Sequence, residues 1–249
     1  MKHILIVFSL LLFLADFTAA VAEKNAGEGY AIPTHKELTQ TIVLLRGLDI
    51  NDPKVADEYA RLTRCQLYKQ HYKNDIAWNK IRMAVVSDTL EKKEYPRILY
   101  ETSGVFQLDR YDFEGQYFPL SRKTAMTNVG TIVLLSSQEF QPYCGINQPP
   151  PQFPANVNLV LNQALTLNKF RVPAEKVEKI LARMEEMGNP ERYVYGRLRF
   201  RVIDVPGLVT VNDSIVRAEL LGHVTAIDFF LDEKMTKQIG DTQLQKAER

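Results

Sequence analysis

Between Ile98 and Leu108 the chain alternates with a period of two. Ile98, Tyr100, Thr102, Gly104, Phe106 and Leu108 occupy the even positions, against Glu101, Ser103, Gln107 and Asp109 on the odd ones. That pattern predicts a half-buried strand. A few residues on, the aromatics Tyr111, Phe113 and Tyr117 stand at odd positions and Arg110, Asp112, Glu114 and Gln116 at even ones. A strand cannot exchange its buried face without an extra residue or a bend, so the phase switch predicts a bulge or corner near Asp109–Arg110. After it the odd aromatics should enter the core.

The segments before this stretch read as helices. Thr34 with Glu37 three residues on forms a capping box before Leu38, Ile42 and Leu45, and Gly47 stops that helix. Asn51-Asp52-Pro53 opens a second helix, with a capping side chain followed by proline in the first turn. Its stripe Val55, Tyr59, Leu62 continues to Cys65, and the helix is expected to reach about Tyr72. A third helix opens at Asn74 or Asp75. Ile76, Ala77, Trp78, Ile81, Val85 and Val86 give it a wide apolar face, with Trp78 as a core anchor.

Beyond the opening stretch the pattern is mostly that of strands. Thr131–Ser136 is short and apolar. Residues 140–154 (FQPYCGINQPPPQFP) carry five prolines, which excludes a helix or central strand and suggests a linker. Val157, Leu159, Leu161, Leu165 and Leu167 share one strand face, and a helix over 173–187 carries Val177, Ile180, Leu181, Met184 and Met187, ended by Gly188 and Pro190. Tyr193–Val205 is a strand; Pro206-Gly207 and Asn212-Asp213 bracket a loop; Ile215–Leu231 supplies one long strand or two, with Gly222 as a break. Helices first and strands later, with one helix inserted, predict an α+β fold: an N-terminal helical region (23–94) followed by a mainly antiparallel sheet (95–240), packed as one domain, with a frayed tail at 241–249.

The first 22 residues set the compartment. Lys2 and His3 precede an apolar run from Ile4 to Leu14, and Ala20-Val21-Ala22 supplies a small-x-small site, so a leader cleaved before Glu23 is expected. The run is too short to cross a bilayer core, which needs about 20 apolar residues. An exported chain with two cysteines, Cys65 and Cys144, is expected to bridge them. A net charge of +1 gives no electrostatic footprint for nucleic acid. Periplasmic or extracellular localisation follows, with no transmembrane segment once the leader is removed.

Two groups of residues could carry function. Tyr193, Tyr195, Arg197, Arg199 and Arg201 share one strand face and make an aromatic-edged cationic stripe, suited to an envelope protein or an anionic ligand, unless neutralised across strands by residues such as Glu219. Asp109, Asp112 and Glu114 form D-x-x-D-x-E-G and with Glu101 give an acidic group that could serve a cell-wall or glycan hydrolase. Its spacing is not that of a calcium loop. His35, His71 and His223 are too dispersed for a zinc set. His223, Asp228 and Ser214 lack a nucleophile elbow, and no phosphate loop or dinucleotide fingerprint is present, so no cofactor is implied.

Residues 59–78 (YARLTRCQLYKQHYKNDIAW) and 110–120 (RYDFEGQYFPL) resemble an uncharacterised family of exported bacterial proteins, known as a domain of unknown function. The resemblance implies an envelope location and brings no activity or site residues. The sequence therefore favours a non-catalytic exported binding protein over the hydrolase.

Overall fold

Thr34 caps the first helix as its hydroxyl accepts the Glu37 amide at 3.2 Å, and Asp52 caps the second through the Lys54 amide at 2.7 Å, with Pro53 in the first turn. These are features of a computed structural model that describes residues 29–91 and 98–243. The expected leader (1–22), the following residues 23–28, the approach to the first strand (92–97) and residues 244–249 lie outside the described residues. In chain order the elements are α1 His35–Leu44, α2 Pro53–Thr63, α3 Cys65–His71, α4 Asp75–Glu91, β1 Leu99–Gln107, β2 Tyr117–Pro119, β3 Met126–Leu135, β4 Asn156–Leu167, β5 Lys169–Arg171, α5 Ala174–Glu186, β6 Tyr193–Val211, β7 Ser214–Phe230 and β8 Gln238–Gln243. The fold is α+β.

The main sheet runs β1-β6-β7-β4-β3, with β8 also paired to β7. All its ladders are antiparallel except β4–β7. On its other side from β6, β7 meets β4 along Arg217–Gly222 and β8 along Ala226–Phe230, so two strands share one side of it end to end. A two-residue turn at Asn212–Asp213, both with positive φ, joins β6 to β7.

One sheet face carries Tyr100, Phe106, Leu198, Phe200, Leu159, Leu220, Ile227 and Phe229, all buried. α1 lies against the Tyr100 end: the Tyr100 hydroxyl donates to the Glu37 carbonyl at 3.1 Å and meets the Thr41 hydroxyl, and its ring stacks on Phe200. The Phe106 end meets the small β2–β5 sheet through the Phe229–Phe170 contact. Buried residues of helices and strands form one cluster.

Several expectations are corrected. The second helix breaks at Arg64, where φ −128° and ψ 45° leave the helical region, so Cys65 begins a separate helix. In α4 only Trp78 and Val85 are buried; Ile76, Met83 and Leu90 face outward seven residues apart. The phase switch is a corner. After Leu108 the chain leaves the main sheet for a hairpin closed by the Asp112–Tyr117 bridge. Its buried aromatic is Phe118 on the returning arm; Tyr111 on the outgoing arm packs partly buried against the core, while Phe113, nearer the hairpin turn, is 71% exposed. Residues 140–154 are a packed strap rather than a linker, with Phe153 fully buried. β3 starts at Met126, ahead of the expected Thr131. β6 continues through Pro206-Gly207, absorbing the proline in register shifts. Of the two alternatives for 215–231 the structure has the single long strand: a Cβ at Gly222 would stand 2.3 Å from the Arg201 carbonyl oxygen, so the glycine permits close strand approach instead of breaking β7. Residues 241–243 belong to β8 instead of a frayed tail.

Candidate functional site

The odd positions of β1 and β6 point to the face opposite Tyr100 and α1. Register sets Glu101 opposite Arg199, Ser103 opposite Arg197, Val105 opposite Tyr195 and Gln107 opposite Tyr193. On the other flank Arg197 opposes Asp228, and Tyr195 opposes Phe230. The charges interlock. Glu101 lies 3.8 Å from Arg197 Nε and 3.6 Å from Arg199 Nε, and Arg199 Nη2 reaches Asp228 at 3.1 Å. Glu101 and Asp228 are both buried. Two guanidinium groups thus meet two carboxylates, and the network is locally neutral. Its planar faces are used as well: Arg197 sits over the Phe230 ring at 4.7 Å and Arg199 over Tyr30 at 5.3 Å. Thr225 donates to the Arg199 carbonyl at 3.1 Å, which leaves the Tyr30 hydroxyl as donor to Thr225 at 3.2 Å.

The candidate stripe is therefore divided. Arg197 and Arg199 are engaged inside the sheet, by Glu101 and Asp228 and not by Glu219, which pairs with Arg217 at 3.4 Å. Arg201 is exposed, makes no ion pair among the described residues and, after burial, is the second cause lowering the His223 pKa. Tyr193, 41% exposed, and Tyr195, half-buried, border Val105, which is 51% exposed. What the face offers to solvent is an aromatic and apolar patch beside a neutralised ion network.

The acidic group is dispersed by the corner. Glu101 belongs to the network. Asp109 is exposed, and its carbonyl accepts from Arg192 at 3.4 Å. Asp112 holds the hairpin: its carboxylate accepts the Gly115 amide at 2.9 Å and the Glu114 amide at 3.0 Å, and the Gly115 bond, then the Tyr117 hydroxyl, holds its pKa below the usual carboxylate range. Glu114 is exposed. Among the described residues no group of His, Cys, Asp and Glu is arranged to hold a metal ion. Asp228 is committed to Arg199 and does not orient His223.

A second polar cluster lies under the proline-rich strap. His35 is 6% exposed; its ring meets Phe140 edge-on at 5.1 Å and stacks with Tyr143 at 5.8 Å. Among the described residues neither ring nitrogen has a hydrogen-bond partner of ordinary geometry, and burial lowers its pKa to about 4, offset in part by the Pro154 carbonyl. The Tyr143 hydroxyl is likewise buried without a hydrogen-bond partner among the described residues, as are Glu58 Oε2 and Arg61 Nε. Burial, above the charge of Glu58, pushes Tyr143 upward, and burial raises Glu58 against the pull of Arg61. Arg61 Nη2 donates to the Cys144 carbonyl at 3.1 Å. Cys144, at φ 47°, comes to disulfide geometry with Cys65, Cα–Cα 5.4 Å, and anchors the strap to α3.

Glu58, Arg61 and Tyr143 carried no sequence signal, since a Glu and an Arg three apart on a helix read as a surface pair. Asp228 did carry one. It is the lone carboxylate in the apolar run AIDFFL, at a position that needs a cationic partner across the sheet.

Residues 52–183 match the family described as a domain of unknown function (DUF4852), and the chain belongs to that family. The match holds both cysteines, Glu58, Arg61, Tyr143 and Glu101, while Arg197, Arg199 and Asp228 lie beyond it. No curated protein and no solved structure matches the chain. No helix among the described residues is long and apolar enough to cross a membrane.

Proposed function

We propose that this protein is an exported, non-catalytic binding protein that holds a partner polypeptide of the cell envelope against the face of its main sheet opposite α1. The observation that carries the reading is the exposed patch of Val105, Tyr193 and Tyr195 beside the Glu101–Arg197–Arg199–Asp228 network. Aromatic side chains on a rigid sheet supply contact area at low conformational cost, and a neutralised network beside them imposes no charge on the partner. Export is supported by the leader pattern of residues 1–22 and by the Cys65–Cys144 pair at disulfide geometry, which suits an oxidising compartment. Glu101 is occupied by arginines and Asp112 by turn amides, while Asp109 and Glu114 stand apart on the surface, which weighs against the hydrolase.

The test is a photo-crosslinking amino acid placed at Tyr195 in the full chain, expressed with its leader in the native host and irradiated in intact cells. A discrete adduct with an envelope polypeptide is expected from position 195 and not from Lys179 on α5. No adduct at 195, or the same adducts from both positions, would overturn the proposal.

A further inference from the structure

β1 is an edge strand, and its hydrogen bonds show which groups face outward. Even residues pair with β6, as the bond from the Val202 amide to the Ile98 carbonyl at 2.7 Å and that from the Leu108 amide to the Arg192 carbonyl at 3.0 Å establish at its two ends. Odd residues therefore direct both N–H and C=O away from the sheet. At one end these groups are used. Ala31, running parallel to β1, donates to the Leu99 carbonyl at 3.1 Å and accepts the Glu101 amide at 2.9 Å. At the other end the Gln107 amide donates to Thr124 Oγ1 at 2.9 Å and its carbonyl accepts the Ser121 amide at 2.8 Å. Between them Ser103 and Val105 have no backbone partner among the described residues, and both are exposed.

We propose that this gap is a strand-addition site, filled by a short extended segment of the partner polypeptide in line with Ala31. The inference rests on the binding reading above and specifies its mode. Two residues spaced by two, each offering an amide and a carbonyl in one direction, are complementary to the backbone of another strand. Extended chain already lies on the same edge at Ala31, so β1 accepts pairing from that side. The segment must be short, because Ala31 and Ser121–Thr124 occupy the edge on either side. Its side chains on the face opposite α1 would meet Val105 and Tyr195, opposed in register, so an apolar residue is favoured there.

Val105→Pro tests this. It deletes an outward N–H that serves no internal bond, and proline is tolerated on edge strands with that group toward solvent. The probes are peptides selected from a random-sequence display library on the purified full chain and then synthesised. Their affinity should fall at least about tenfold on Val105→Pro, as expected for a lost backbone bond and a blocked edge, and hold on Val105→Thr. Because the proline could also unfold the strand, hydrogen exchange of the wild-type protein with bound peptide supplies a second reading: the Ser103 and Val105 amides should gain protection. Peptides that bind Val105→Pro as well as wild type, or that protect no β1 amide, would overturn strand addition. A crosslink at Tyr195 alongside either result would leave the sheet-face reading standing and reject only this mode. Concentration-dependent dimers of wild type, absent in Val105→Pro, would overturn the proposal in favour of edge pairing between two copies.

Discussion

His35 makes the stability of this protein acid-sensitive by a calculable amount. Its ring is buried among Phe140, Tyr143 and Phe153, and its pKa falls from the ordinary 6.5 to about 4. The unfolded chain takes up a proton as pH drops through the ordinary histidine range, and the folded chain does not until about pH 4. Within that interval the unfolded state binds more protons, so stability is full above the ordinary pKa and is lost as pH falls toward the folded one. The gap corresponds to about 3 kcal/mol in all, of which about 2 kcal/mol is gone by about pH 5. For a domain with a total stability of roughly 5–15 kcal/mol this is a large share. Glu58 works the other way. Its raised pKa makes the folded state take up a proton earlier than the unfolded one, which adds stability as pH falls.

The measurement is urea unfolding followed by Trp78 fluorescence, at neutral pH and near pH 5, for wild type and His35→Phe. Phenylalanine keeps a planar ring in an aromatic pocket and removes the titration. Wild type should lose about 2 kcal/mol more than the variant between the two conditions. If both lose stability in parallel, the buried neutral imidazole is not what the acid attacks. An NMR titration that places the His35 proton uptake near the ordinary value would refute the argument equally.

Other consequences are more direct. Cys65 and Cys144 are 79 residues apart in sequence, so Cys65→Ser with Cys144→Ser should lower stability by about 4 kcal/mol, read as a fall in the urea midpoint; an unchanged midpoint would mean that the strap holds without the bridge. Glu101→Gln removes the carboxylate shared by Arg197 and Arg199, leaving Asp228 paired with Arg199 among the described residues, and should cost about 2–3 kcal/mol in the same assay, whereas Glu114→Gln, on an exposed turn, should cost almost nothing. Gly222→Ala forces the β6 and β7 backbones apart at Arg201 and should cost more than about 2 kcal/mol; a soluble variant of wild-type stability would show that the sheet yields there.

What the sequence made legible follows from what is local. The Thr34 and Asp52-Pro53 caps are set by side chains within three residues of the amides they meet. The alternation from Val157 to Leu167 could be read because Val157, Leu159, Leu161, Leu165 and Leu167 on one face are buried, with the exposed Gln163 between them. The break at Arg64 was hidden because helical spacing continues through it, and only the backbone there departs. Phe113 was misplaced because period two was extended into residues that had already left the sheet. The arginine alternation on β6 was visible, but its neutralisation was not. Glu101, Arg197 and Asp228 are separated by about a hundred residues and by thirty, and only register brings them together.

Adjacent residues of β1 explain why that stretch organises the chain. Tyr100 turns to one face and bonds the α1 carbonyl of Glu37, while Glu101 turns to the other and joins Arg197 to Arg199. The strand is therefore fixed on both faces by polar contacts as well as by Phe106 and Phe200. A one-residue slip would place Tyr100 among the arginines and Glu101 against α1, leaving a buried charge unpaired on each face. Register is thus set strongly at residues 100–101, and the edge beyond them at Ser103 and Val105 can stay open without the sheet losing its alignment. An open edge on a slippery strand would be an aggregation hazard; on a strand pinned in this way it can serve as a defined place for another chain to pair.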